Sequence, residues 1–213
     1  MKNGNIDNIF IYWIYFVSII LISIYILESF DFISGLFRED ISYISSIIVS
    51  IFTFYLFRGG YHLYKLRYAI NSLVQENSSS KNNIFIEILD EYRSSLSNTS
   101  NNKSFQEQLK SRLYEIVDNG FFVADILLKL GIIGTVIGFI IMLSSLSTID
   151  EMNLSKMNNL LLSMSSGMKV ALYTTLSGLI CSILLTIQNN YFENKINNFI
   201  TKILSSDDNE KKD

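Results

Sequence analysis

The chain predicts an all-α membrane protein with four transmembrane helices, an N-in/C-in topology, and long helices for spans three and four. Three observations carry this. Mean hydropathy is positive, +0.29, which is unusual for a soluble globular chain. The apolar residues gather into four runs rather than spreading through the 213 residues, the distribution expected of membrane spans. The last two runs also carry glycine, serine and threonine at helical spacing, as helices do when they pack closely in lipid.

The first run, Ile9 to Leu27, holds no charge. At ~1.5 Å per residue it just crosses a ~30 Å hydrocarbon core. A signal peptide is not expected there, because the basic flank is only Lys2 and no small-residue cleavage site follows Leu27. Trp13, with Tyr12 and Tyr15, reads as an interfacial aromatic anchor. The second run, Ile41 to Phe57, is shorter and rich in serine. A helical segment between spans two and three follows. Tyr61, Tyr64, Leu66, Tyr68 and Leu73 form its first apolar side. Asn77 to Asn83 reads as a polar loop, Ile84 to Leu96 as a helix, and Ser97 to Lys103 as a second break. Ser104 and Glu107 fit a capping box that starts the next helix. Leu109, Leu113, Ile116 and Val117 keep helical spacing to Gly120, so this helix runs on into the third run, Ile126 to Leu146. The fourth run, Met168 to Ile187, continues through Phe192, Ile196, Phe199 and Ile203. Asp207 to Asp213 is expected to be disordered. Four segments follow: a two-span hairpin (1–57), a cytoplasmic helical segment (58–121), a helix pair (122–190), and a helical extension with its tail (191–213).

Charge sets the orientation. The Glu28–Asp40 connector holds Glu28, Asp31, Glu39 and Asp40 against Arg38, whereas Arg58, Lys65 and Arg67 follow the second run, with His62 among them. Asp150, Glu151 and Lys156 lie between runs three and four. The positive-inside rule then places both termini and the 58–120 segment in the cytoplasm. A net charge of -3 with no basic stripe argues against a nucleic-acid partner. One cysteine, Cys181, supports neither an internal disulfide nor a cysteine-based metal site. No Ser-His-Asp set, metal cluster or phosphate loop is present, so no enzyme, metal or cofactor is expected.

The chemistry-bearing pattern lies in runs three and four. On the third, Gly131, Gly134, Thr135 and Gly138 share one side at spacings of three and four. On the fourth, Gly167, Ala171, Thr175, Gly178 and Ser182 form a longer stripe, with Thr174 beside it. Small residues let backbones approach, and a hydroxyl lines a polar path at far lower cost in a membrane than a charge. For an isolated threonine, bonding to its own preceding turn is the commoner role.

Gly-Ile-Ile-Gly-Thr-Val-Ile-Gly (131–138) followed by Gly-Met-Lys-Val-Ala-Leu-Tyr-Thr-Thr-Leu-Ser-Gly-Leu (167–179) resembles the paired pore helices of the MotA/TolQ/ExbB proton-channel family. The resemblance implies that Thr135 and Thr175 face an ion pathway, with Thr174 the alternative to Thr175. It implies that Gly131, Gly134, Gly138, Gly167, Ala171, Gly178 and Ser182 pack the helices. It further implies a ring of five copies in the bacterial inner membrane around two copies of a single-span ExbD/TolR/MotB-like partner bearing a membrane aspartate, with ion flow driving rotation. The four-span count is similar to MotA rather than to the three-span ExbB and TolQ. The chain also departs from the family. Val170 stands where ExbB and TolQ place a glutamate, with Lys169 before it; the family's prolines are absent; and the charges with which flagellar stators grip their rotor are not recognisable. Lys169 reads as a snorkelling lysine or a partner contact. Asp125 and Lys129, four apart, read as an ion pair, with an inner-mouth proton relay at Asp125 as the other role. A different class of function stays open: a non-conducting oligomeric scaffold or sensor, for example in a defence system. Whether the ion is a proton or sodium, and what load is driven, are not specified.

Overall fold

The computed structural model of the chain describes residues 8–29, 34, 42–74, 86, 102–144 and 154–210. Among these residues the fold is four α-helices: α1 (Asn8–Ser29), α2 (Ile44–Val74), α3 (Asn102–Ser144) and α4 (Leu154–Glu210). Three contain stretches long and apolar enough to cross a membrane: Ile44–Ala69 in α2, Lys110–Ser144 in α3 and Leu160–Thr201 in α4. The apolar stretch of α1, Ile11–Ile26, is shorter. With 43 and 57 residues, α3 and α4 are ~65 and ~85 Å long, well beyond a bilayer core.

The expected continuity holds: α3 passes through Gly120 into its apolar half without a break, and α4 continues past Ile187. Four boundaries differ. α4 begins at Leu154 rather than Met168, so Lys156, read as part of the connector, lies in its first turn. α3 starts at Asn102, two residues before the capping box at Ser104, a displacement typical of helix ends. α2 begins at Ile44 rather than Ile41; Tyr43 takes a left-handed φ of 56°, and its carbonyl accepts the Ile47 amide at 3.1 Å. The tail expected to be disordered is helical as far as Glu210. Extending a formed helix adds one backbone bond per residue without a new nucleus, and this offsets the poor propensity of Ser-Ser-Asp-Asp-Asn. The Asn77–Asn83 loop, the body of the Ile84–Leu96 helix, the connector charges Asp31, Arg38, Glu39 and Asp40, and Asp150 and Glu151 lie outside the described residues.

The described residues group into two compact units, one within Met1–Val17, Leu56–Phe121 and Ile187–Asp213, the other within Ser18–Tyr55 and Phe122–Thr186. Residues 1–57, read from sequence as one hairpin, contribute to both.

The first unit has an apolar core of Leu63, Leu66 and Ala69 from α2, Leu113 and Val117 from α3, and Phe192, Ile196, Phe199 and Ile200 from α4. Of the apolar side expected from sequence, Leu66 is buried and the three tyrosines are not. Tyr61, Tyr64 and Tyr68 are exposed, while Leu63, Leu66 and Ala69 are fully buried. A buried tyrosine needs a partner for its hydroxyl, and the aliphatic side needs none. Tyr61 instead receives the Lys65 ammonium 4.6 Å from its ring centre. Trp13 also departs from a pure interfacial anchor. It is half-buried against this core, and its indole fills the space over Gly60, where any Cβ would strike it. Tyr12 and Tyr15 stay exposed. Tyr114 donates its hydroxyl to Asn197 Oδ1, tying α3 to α4.

The second unit buries Ile20, Ile44, Ile48 and Phe52 together with Val123, Ala124 and Leu127 of α3 and Val170, Ala171, Cys181 and Leu185 of α4. The other faces of α3 and α4 expose Ile132, Val136, Phe139, Leu172 and Ile183, the composition of a surface that meets lipid or other apolar helices.

Candidate functional site

In the second unit, α3 and α4 pack antiparallel along their small residues. Gly131 meets Gly178, and a Cβ on Gly178 would stand 2.8 Å from Gly131 Cα and 2.9 Å from the Leu127 carbonyl oxygen. One turn further, Gly134 faces the Thr174 side chain. Beyond it Gly138 lies against Ala171 and Gly167, where a Cβ would come within 2.7 Å of Ala171 Cβ and of the Gly167 carbonyl oxygen. Gly167 is equally tight, with the Gly138 carbonyl oxygen and the Met142 amide nitrogen each 2.8 Å from a Cβ placed there. The two backbones meet directly at Gly131–Gly178 and Gly138–Gly167, with only the small side chains of Ala171 and Thr174 between those points, the arrangement that small-residue spacing permits in lipid. Glycine costs helix propensity at each position, so the close approach is what the sequence gains. Ser182 is half-buried further along α4, and its carbonyl accepts the Thr186 hydroxyl at 2.8 Å.

The three threonines take different places. Thr174 is fully buried; its hydroxyl stays on its own helix, 2.9 Å from the Val170 carbonyl oxygen and 3.1 Å from that of Ala171. Thr175 is half-buried at the edge of the seam. Its hydroxyl lies 3.1 Å from the Ala171 carbonyl oxygen and 3.2 Å from the Gly131 carbonyl oxygen on the facing helix. Thr135 is half-buried and donates to the Ile132 carbonyl oxygen at 2.5 Å, within its own helix. A threonine hydroxyl has one hydrogen and two lone pairs. With the hydrogen directed at a carbonyl, the oxygen remains able to accept from water or from a protonated group.

Asp125 and Lys129 form the expected pair, 2.5 Å apart with both side chains more than half exposed. Exposed pairs four apart on a helix contribute about 0.3–0.5 kcal/mol. Lys169 is exposed, while Val170 is fully buried. Val170 thus points into packed protein, where an unpaired carboxylate would be costly. Among the described residues no group of three or more His, Cys, Asp or Glu is placed to hold a metal ion.

A model of the MotA/TolQ/ExbB proton channel family matches residues 78–204, more than half of the chain and the whole of the seam. The chain belongs to this family. Membership places a MotA/TolQ/ExbB chain among membrane-embedded components with a proton channel role in motor-like complexes. No curated protein and no solved structure matches the chain.

Sequence reasoning missed two further side chains on α4 of this MotA/TolQ/ExbB protein. Gln188 and Asn189 are buried in the first unit, each over a glycine of a neighbouring helix, Gly59 of α2 and Gly120 of α3. The available signal was a pair of amides directly after an apolar run, together with isolated glycines inside two other helical patterns.

Proposed function

We propose that this chain is the ring-forming subunit of an ion-driven motor or channel in the bacterial inner membrane, crossing it four times with both termini inside. Five copies would surround two copies of a single-span ExbD/TolR/MotB-like partner, and ions would pass by way of that partner's membrane aspartate. The observation that carries the reading is the α3–α4 seam within the family match. It is a close glycine contact with the Thr175 hydroxyl at its edge, reaching the facing helix. A proton carrier must bind and release its ion, and hydroxyls alone do not titrate in the working range. In the family resemblance that group is a carboxylate on a second protein. Thr135 and Thr175 supply neutral hydrogen-bonding oxygens beside its path, and Thr174 holds the helices together. Four spans require α1 to cross with a 22-residue helix, long enough at ~1.5 Å per residue.

Native mass spectrometry on the protein purified from its own host in mild detergent tests this reading. Five copies carrying two copies of a single-span, aspartate-bearing protein are expected. A ring that conducts no ions and carries no partner would instead favour an oligomeric scaffold or sensor. A persistent monomer or dimer would sink both.

A further inference from the structure

Within the first unit, three helices meet around two amide side chains. Gln188 and Asn189 are only 3% and 6% exposed. Gln188 Nε2 donates to the Leu56 carbonyl oxygen at 3.2 Å, which ties α4 to α2. Its Oε1 is buried with no protein partner, as is Asn189 Nδ2. The space these amides occupy comes from glycine: a Cβ at Gly59 would collide with the Gln188 amide, and one at Gly120 with that of Asn189. A third polar atom, His62 Nδ1, is also buried without a protein partner. Its ring lies 6.2 Å from that of Phe192, and Phe192 sits one helical turn beyond Gln188 and Asn189 on α4.

The donor and acceptor set narrows the ligand. A bare cation needs oxygen ligands, and Asn189 Nδ2 offers a hydrogen. An anion needs donors, and Gln188 Oε1 offers lone pairs. Water both donates and accepts, so it satisfies either atom where it stands, Oε1 on the α2 side and Nδ2 on the α3 side, and buried polar groups of this kind are the places where proteins hold internal water.

We propose that the first unit binds structural water against Gln188 Oε1 and Asn189 Nδ2, making a wet joint between α2, α3 and α4. Such a joint differs in kind from the glycine seam. Hydrogen bonds through water are remade as helices shift by an ångström or so, whereas a dry backbone contact has only one good register. The joint lets α4 adjust against α2 and α3 without exposing an unpaired amide.

X-ray hydroxyl-radical footprinting of the intact protein tests this, because radicals generated from bound water mark adjacent side chains even when they are buried. Phe192 and Phe199 are a matched pair, both buried at 4% and 1% exposure in one core. Phe192 is expected to be oxidised severalfold faster than Phe199. Equal rates would overturn the proposal, and this comparison needs no variant. In the double substitution Gln188→Met with Asn189→Leu, Phe192 should fall to the Phe199 rate. Fast oxidation that persists in that variant would overturn the assignment of the water to these two amides.

Discussion

The Thr175 hydroxyl reaches the backbone carbonyl of Gly131 across the helix pair, 3.2 Å away, while remaining 3.1 Å from the Ala171 carbonyl on its own helix. One side chain therefore both reinforces the seam and keeps a free oxygen at its edge. Thr175→Val keeps the shape and deletes the hydroxyl. The expected outcome is a loss of about 1 kcal/mol of stability, an intact assembly, and ion flux reduced at least about tenfold, equivalent to ~1.4 kcal/mol on the barrier. Thr175→Ser should retain most of the flux. Flux assays in proteoliposomes holding the whole complex decide it; normal flux in the valine variant would remove Thr175 from the pathway.

Gly178 leaves no room for a methyl group against Gly131 Cα and the Leu127 carbonyl oxygen. Gly178→Ala must push two backbones apart, at a cost of about 1–3 kcal/mol by the usual scale of overpacking. Leu172→Ala, on an exposed face of the same helix, serves as the control for helix-wide effects. Thermal unfolding of both variants in one detergent should separate them by several degrees, with Gly178→Ala the lower.

The Asp125–Lys129 pair is exposed on both sides, so Asp125→Asn should change stability by no more than about 0.5 kcal/mol. If the carboxylate is only a helix-surface partner, flux across a pH series is unchanged. A flux loss in Asp125→Asn with stability preserved would give Asp125 a role at the inner mouth.

Gly60 and Trp13 should behave as a coupled pair. Gly60→Ala brings a methyl group into the indole and is expected to destabilise by about 1–3 kcal/mol. Trp13→Leu has a cost of its own, but the double variant should be better than the sum by at least ~0.5 kcal/mol. Additive losses would mean that the indole moves aside freely.

How far the sequence reveals this molecule depends on which force fixes each feature. The α3–α4 seam is legible because steric exclusion is local to the residue: a glycine every third or fourth position has few explanations on a membrane helix. The continuity of α3 and α4 is legible too, since nothing between Leu109 and Ser144 breaks the helix. The buried face of α2 was not. The expected side mixed Leu66, which is buried, with Tyr61, Tyr64 and Tyr68, which are exposed, and periodicity cannot separate neighbouring apolar positions when some carry hydroxyls. The Gln188 and Asn189 sites depend on glycines more than sixty residues away in sequence, Gly59 and Gly120, and no spacing rule joins them. Trp13 fits both an interface and a core, and only the opening above Gly60 distinguishes the two.

The contact between Gly131 and Gly178 also bears on how the chain is made. Its two helices follow one another directly along the polypeptide, so the first is synthesised with its glycine face bare and the second is the next segment to emerge. Pairing of close neighbours closes the smallest loop and is the fastest kind of long-helix contact to form. The seam can therefore close during synthesis, as soon as the second helix enters the membrane, before separate copies meet. In the proposed ring, assembly would then begin from finished hairpins rather than loose helices, and a bulky residue at either glycine would act at the ribosome before any effect on ion flow.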